Sequence, residues 1–474
     1  MIYQVPQYID KSKIFIVNRS NIVNRLDAQY YDAEMDLSGF IKLSSIAIVK
    51  GGKRIPKGYR YSEETTHYHY LRVADMTAHA QVDINNLMNI SESVFRILER
   101  YEIKNGELAI SIAGTIGKTY ILKNIPDGER VILTENCAKI LIKPNIKLIS
   151  EYLKICLELP IVQKQLELNY IQTTIPKLGL DKIIGIKIPA LPCIQRQQEI
   201  VEYINNAYIQ KQAKEKEAQL LLDSIDDYLL NELGIELSTI ETKIKNRIFT
   251  INLSCIERNR LDSNYFDGKY RHLLKCINKG KYELHSLAEI SSFISTGQTP
   301  KSDCYTEEIT EYPIIKAGSY NGFEIDLKKI TYTIDKQQHS VRRGDIFILS
   351  AAHQAEYIAK QICYLSDIPA PNTSFVGELL CIRAGKNINS MYLYSVLSTT
   401  LYKTLLNREK RGQTSHLYSQ DVKRVLVPVP PMEKQSKIAE HMQSIHLRAK
   451  TLKKEGKTIL EKAKREVEQM IINK

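Results

Sequence analysis

The sequence predicts an α+β chain: two similar strand-rich globular domains, each followed by a long helix, with the two helices pairing as an antiparallel coiled coil. Three observations predict this. An internal repeat runs through most of the 474 residues. Short β-branched and aromatic runs alternate with turn residues in both copies, and a heptad seam follows each copy.

The repeat opens with "NRLDAQYYD" (Asn24–Asp32), which returns as "NRLDSNYFD" (Asn259–Asp267). Further landmarks keep their order. Leu43 answers Leu287, "IPKG" from Ile55 answers "TPKS" from Thr299, and "NGELAI" from Asn105 answers "RGDIFI" from Arg343. "SEYLKICL" from Ser150 answers "SMYLYSVL" from Ser390, and "QTT" at Gln172 answers "QTS" at Gln413. The predicted segments are an N-terminal arm (1–23), a first domain (24–190), a long helix (191–233), a connector (234–258), a second domain (259–429) and a second long helix (430–474).

Within the domains, "ELAISI", "TYILKN", "AKILIK", "DIFILS" and "KQICYL" read as strands between Gly, Asn and Asp turns. One helix is expected around Glu151–Leu168 and its counterpart around Met391–Leu406. Both copies end in a strand, a proline cluster and a helix: "IKIPALPCIQRQQEIVEYI" (Ile186–Ile204) and "VLVPVPPMEKQSKIAEHM" (Val425–Met442), with Gln197 and Gln435 in the early turns. Proline ends a strand and can open a helix, so the period changes there. In the second helix Ile438, Met442, Ile445, Ala449, Leu452, Gly456, Ile459, Ala463 and Met470 fall on one seam. The first carries Ile200, Ile204, Ala207, Lys211, Lys214, Ala218, Leu221, Ile225 and Tyr228, its lysines marking a wetter centre. Each rod is about 55 Å long. Neither buries its stripe alone, which predicts that they pair.

Composition narrows the function. Hydrophobic content of 43% and charged content of 25% are those of a globular protein. No apolar run is long enough for a membrane span, and the start "MIYQVPQYIDKSK" lacks a secretory pattern, so a cytoplasmic location is expected. Eight cysteines without a C-x-x-C pair argue for reduced, mostly buried thiols and against a zinc ribbon or disulfide framework. A formal charge of +12 favours polyanions such as nucleic acid, or an acidic partner.

"SIAGTIGKTYIL" (Ser111–Leu122) ends its polar part in Gly-Lys-Thr and so invites comparison with a phosphate-cradling loop. That loop needs a glycine where Ile112 stands and a helix where "TYIL" reads as strand. A glycine-containing turn between two strands fits better.

The paired "NRLD" segments, the "GTIGK" turn, "TGQTPKS" (Thr296–Ser302) and the two proline-rich lead-ins with their glutamines resemble the specificity subunit of a Type I restriction-modification system, across essentially the whole chain. The resemblance implies that each globular copy is a target-recognition domain reading half of a split DNA sequence. It also implies that the helix pair sets the spacing and carries methyltransferase subunits, and that restriction subunits join the complex. S-adenosylmethionine, ATP and Mg would then belong to partner chains, with no cofactor or metal in this one. In that setting "GTIGK" is a recognition turn presenting Thr115 and Lys118, and the second copy departs from it with "SAAHQAEYIAK" from Ser350, which offers His353 and Gln354.

Side chains that hold phosphates or read base edges mark the other candidate DNA-binding loops. "KGGKRIPKGYR" carries Lys50, Lys53, Arg54, Lys57 and Arg60, and its counterpart offers Gln298, Thr299 and Lys301. Gln172, Thr173 and Thr174 match a second polar loop with Arg408, Arg411, Gln413, Thr414 and Ser415. His67 and His69 have no evident third metal ligand and are expected to form a surface "HYH". Arg25 with Asp27, and Arg260 with Asp262, recur in both copies and so read as framework.

No catalytic constellation is visible. A DNA-adenine methyltransferase needs a Gly-rich cofactor turn and an Asn or Asp before Pro-Pro and an aromatic residue, whereas Val429 precedes Pro430 and Pro431. The chain is therefore expected to bind and position without catalysing. A structural or regulatory coiled-coil protein whose copies bind protein or RNA is the alternative.

Overall fold

One buried glutamine side chain ties each globular domain to its long helix in the computed structural model, which describes residues 17, 19, 22, 35–76, 84–169, 176–238, 250–252, 256, 260, 262–412 and 415–472. The chain divides into two compact units, residues 1–212 with 456–474, and residues 213–455. In the first, β1 (Phe40–Lys42), α1 (Leu43–Ile46), β2 (Ala47–Gly51), β3 (Tyr68–Leu71), β4 (Met88–Asn89), α2 (Glu92–Leu98) and β5 (Glu102–Ile103) come first. There follow β6 (Leu108–Ser111), β7 (Thr119–Ile121), β8 (Arg130–Leu133), β9 (Cys137–Ile142), α3 (Ser150–Glu158), α4 (Pro160–Asn169), α5 (Leu180–Gly185) and β10 (Lys187–Pro189), before the long α6 (Ile194–Leu233).

The second unit repeats the plan. It contains α7 (Gly268–Asn278), β11 (Leu284–Ser286), α8 (Leu287–Ile290), β12 (Ser291–Thr296), β13 (Tyr305–Thr306), β14 (Pro313–Ile315), β15 (Tyr320–Asn321), β16 (Glu324–Ile325) and β17 (Thr331–Thr333). Then come β18 (Ile346–Leu349), β19 (Ile362–Tyr364), β20 (Ser374–Phe375), β21 (Leu379–Ala384), α9 (Ser390–Ser398), α10 (Thr400–Arg408), α11 (Ser419–Val422) and β22 (Leu426–Pro428), before the long α12 (Met432–Ile472), which, like α6, has residues in both units.

Sheet β2-β9-β6-β7 corresponds to β12-β21-β18-β19, which β16 and β15 extend. A second sheet in each unit contains one parallel pair, β3 with β8 and β14 with β20. The antiparallel ribbon β1-β10 corresponds to β11-β22. Side chains along a strand alternate between two cores, as a period of two requires. Leu108 and Ile110 of β6 and Ile121 of β7 face helices α3 to α5, whereas Ala109 and Tyr120 pack toward the second sheet with Leu71 and Val131. In β18, Ile346 and Ile348 take the helix side and Phe347 the other.

Each expected domain helix is two helices. Leu159 is held extended (φ −61°, ψ 137°) by the proline after it, and Pro160 opens α4. The second copy reaches the same break without proline. Thr399 is extended (φ −64°, ψ 153°), and its Oγ1 accepts the Tyr402 N–H at 3.3 Å as an N-cap.

The glutamines after the proline clusters do equivalent work. Gln197 Oε1 accepts the Ile149 N–H at 2.9 Å, while Nε2 donates to the Pro192 and Lys147 carbonyls at 2.9 and 3.1 Å. Gln435 Oε1 accepts the Asn389 N–H at 2.8 Å, and Nε2 donates to the Pro430 carbonyl at 2.9 Å.

Within each unit the long helices pair antiparallel. In the first, Ile200, Ile204 and Ala207 share a core with Ala463, Val467 and Ile471, Tyr203 donates to Glu466, and a Cβ on Gly456 would stand 3.3 Å from the Lys211 carbonyl. Val467 and Ile471 take the buried seam positions there, and Met470, expected on the seam, is half-buried beside them. In the second, Ile225, Leu229 and Leu233 meet Ile438, Met442 and Ile445, Ala218 meets Ala449 and Leu452, and Lys214 Nζ pairs with Glu455 at 2.7 Å.

His446 of α12 stacks on Phe323 at 4.0 Å, and burial pulls its pKa from 6.5 down to about 4, which the Glu324 carboxylate only partly offsets. The unfolded chain therefore binds a proton between these values that the folded one refuses. Stability of the second unit should fall as pH drops from 6.5 toward 4, and His446→Phe should flatten that profile in denaturant midpoints measured against pH. Gln435→Ala strands a buried N–H and a carbonyl and should cost about 1–3 kcal/mol by chemical denaturation.

Candidate nucleic-acid interface

In the first domain the basic loop after β2 is pinned by backbone. Gly52 N–H donates to the Cys137 carbonyl at 2.9 Å and Lys53 N–H to the Leu133 carbonyl at 3.0 Å. A Cβ on Gly52 would lie 2.0 Å from the Thr134 carbonyl oxygen, so only glycine permits this approach. Lys50 is exposed on β2, and Lys53, Arg54 and Lys57 are exposed on the loop. Arg54 Nε donates to Glu135 Oε1 at 2.6 Å, and Glu135 Oε2 accepts from Tyr70 Oη and Thr134 Oγ1 at 3.0 Å each. Partial burial opposes ionisation of Glu135, but the bonds from Arg54, its own backbone N–H, Thr134 and Tyr70 outweigh it and hold the carboxyl below its usual range. Beside this network lies a groove of about 830 Å³ lined by Arg54, Tyr59, Arg60, Tyr61, Tyr70 and Asn136, among others. The tyrosines and Asn136 were missed by a search for charge, although alternation of rings and arginines in "GYRYS" is itself a signal for stacking on nucleic acid.

The loop after β12 is built the same way. A Cβ on Gly297 would lie 2.1 Å from the Phe375 carbonyl oxygen, and Gln298 N–H donates to that carbonyl at 3.2 Å. Gln298 and Lys301 are exposed. Thr299 is also exposed, and its hydroxyl donates to Glu378 Oε2 at 3.0 Å.

"GTIGK" is a turn from strand β6 to strand β7, as the strand-to-strand reading expects, and no helix follows it. Gly117 adopts φ 80°, its N–H donates to the Ser111 carbonyl at 3.0 Å, and its carbonyl accepts from Gln163 Nε2 at 3.0 Å. Thr115 is exposed and Lys118 half-buried. The second copy departs less than its letters suggest. Ala359 adopts φ 57°, its N–H donates to the Leu349 carbonyl at 3.0 Å, and Asn407 Nδ2 holds the adjacent Ile358 carbonyl at 2.8 Å. "YIAK" (Tyr357–Lys360) thus stands where "TIGK" stands in the first copy, and residues 350–358 form a longer excursion that exposes His353, Gln354 and Tyr357.

Two candidates are anchored by partners within the domain. Arg408 Nε donates to the Tyr265 carbonyl at 2.9 Å, and its side chain is only 13% exposed. Arg411 makes two bonds of 2.7 Å to the fully buried Asp421. Arg408 is thus held inside the domain, whereas the Arg411 side chain, anchored by Asp421, stays 37% exposed. Ser415 is half-buried, and Gln172, Thr173, Thr174, Gln413 and Thr414 lie outside the described residues.

Arg260 has the framework role its recurrence suggests. It pairs with Asp262 at 3.0 Å, donates to the Lys410 carbonyl at 3.0 Å, and shares the Tyr265 ring with Arg408, the two cations lying 3.9 and 3.8 Å from the ring centroid. Its first-copy counterparts, Arg25 and Asp27, lie outside the described residues.

The "HYH" expectation is corrected at one residue. His67 is exposed, but His69 is buried, and the Glu129 carboxylate bonds both rings at 2.9 and 2.6 Å. Among the described residues no group of His, Cys, Asp and Glu is disposed to hold a metal ion. The described cysteines are free thiols, and no described helix is long and apolar enough to cross a membrane.

The fold is a tandem of two domains with equivalent topology and equivalently placed loops. The family model described as the Type I restriction modification DNA specificity domain matches residues 35–221 and 278–462, and the chain belongs to that family, the non-catalytic DNA-recognition component of Type I systems. A putative type I restriction enzyme MjaX specificity subunit from Methanocaldococcus jannaschii is 26% identical over 193 residues, which is 39% of this chain and 44% of that relative. The match thus spans less than half of the relative's length. Among solved structures, a Type I restriction-modification S subunit from M. genitalium shows 13% identity and a TM-score of 0.43 over 91% of this chain and 95% of that one. A chain from a structure of complex assembly and conformational transition of the type I system shows 14% identity and a TM-score of 0.49 over 91% and 96%.

Gly52→Ala drives a methyl group into the Thr134 carbonyl and should destabilise the first domain by about 1–3 kcal/mol, read as a lower denaturant midpoint.

Proposed function

We propose that this chain is the sequence-reading subunit of a Type I restriction-modification complex, in which each domain reads one part of a bipartite duplex target. One observation carries the reading: two domains of equivalent topology present equivalently anchored loops and turns, and the side chains exposed on them differ. Lys53, Arg54 and Thr115 stand in one copy where Gln298, Thr299 and Tyr357 stand in the other. Shared backbone with unlike contact residues is what reading two different sequences requires.

Methyltransferase subunits, which bring S-adenosylmethionine, and restriction subunits, which bring ATP and Mg, are the partners, and the cytoplasm is the location. The long helices offer them an exposed polar face. Exposed lysines and arginines neutralise phosphates, so duplex affinity should fall steeply with salt.

The test is to map methylated adenines in cells expressing the chain with its methyltransferase subunits. A split motif with two unlike halves is expected. A continuous motif, or no new methylation together with selective binding of RNA or a protein, would overturn the reading.

A further inference from the structure

The loops after β2 and β12 differ in one device. In the first domain Glu135 is fixed by Tyr70 Oη and Thr134 Oγ1 and in turn grips Arg54 Nε at 2.6 Å. The Arg54 side chain is 78% exposed, so its terminal nitrogens reach solvent while the plane of the group is set from behind. By backbone bonding Gly52 and Lys53 match Gly297 and Gln298, so Thr299 stands where Arg54 stands, one residue off the register in which Ile55 answers Thr299 in the sequence repeat. Its hydroxyl donates to Glu378 Oε2 at 3.0 Å and accepts the Gly377 N–H at 3.0 Å, so it is used up internally.

A guanidinium held at Nε presents its two Nη groups side by side, a pair of donors that matches O6 and N7 of guanine in the major groove. A phosphate contact needs no such orientation, and the exposed Lys53 and Lys57 beside it can supply one. Nor is stability a sufficient reason for the arrangement, because an exposed ion pair contributes little. The groove lined by Tyr59, Arg60 and Tyr61 gives the duplex a concave, aromatic and basic surface next to Arg54.

We infer that Arg54 reads a guanine in the half of the target that the first domain recognises, that Glu135 is its positioning residue, and that the second domain has no counterpart at this place. The inference rests on the duplex-reading function proposed above.

The test is selection from a pool of randomised duplexes by the full chain assembled with its methyltransferase subunits, comparing wild type with Arg54→Ala, Arg54→Lys, Glu135→Ala and Glu135→Gln. At one G·C position, discrimination should fall about tenfold to a hundredfold in Arg54→Ala, and Arg54→Lys should not restore it. Glu135→Ala should weaken the same position, and Glu135→Gln, whose amide oxygen still accepts from Nε, should recover it in part. Affinity for non-specific duplex should not fall in either Glu135 variant, since each removes a negative charge beside the groove. Glu135→Gln keeps an acceptor for the buried Tyr70 and Thr134 hydroxyls, so its loss at that one position is not a loss of folding.

An even loss across all sequences in Arg54→Ala, with a salt slope shallower by about one, would make Arg54 a phosphate contact and overturn the inference. An unaltered motif in that variant would overturn it too. A wild-type complex that selects no motif would instead sink the duplex-reading function itself, a result distinct from loss at one position.

Discussion

The architecture depends on two buried side-chain amides. Where the chain leaves its last strand through prolines, the carbonyls of Pro192 and Pro430 lie outside any helix or sheet ladder, and the N–H groups of Ile149 and Asn389 at the start of α3 and α9 also need partners. Gln197 and Gln435 carry a donor and an acceptor on one neutral group, and each satisfies both needs while fully buried. Glutamate at the same place has no donor and brings a charge that burial penalises. The helix that packs on the sheet and the helix that leaves it are thereby fixed to each other, and the core between them follows.

On that frame, residues divide by whether their polar groups are spent inside. Arg408 looks like a nucleic-acid contact by type, yet the Tyr265 carbonyl and ring hold it inside, as Asp262 and the Lys410 carbonyl hold Arg260. Arg54 and Thr299 hold equivalent positions with different outcomes, since one keeps donors facing outward and the other keeps none. Residue type proposes a contact, and the partners within the fold decide it.

Much of this was legible in the sequence because the physics is local and periodic. The order of landmarks exposed the duplication, the spacing of Ile200, Ile204, Ala218 and Ile225 exposed the seam, and Gln197 and Gln435 were visible by their distance from the prolines. What stayed hidden depends on distant partners. Glu129 closes on His67 and His69 from far along the chain, and Asn407 fixes the turn at Ile358. The Thr399 break was also unmarked, because a threonine cap leaves a fainter trace than Pro160. The kinship of "TIGK" and "YIAK" was masked by alanine standing in a conformation that favours glycine.

That turn has a mechanical consequence. It closes at its base through backbone hydrogen bonds, among them Gly117 to Ser111 and Ala359 to Leu349, and a carboxamide from the neighbouring helix braces it. Extra residues bulge outward beyond this clasp, so strands β18 and β19 meet in the same antiparallel pairing as β6 and β7. The scaffold is in effect deaf to the length of what it displays, and new surface chemistry is grafted there without the sheet having to be solved afresh.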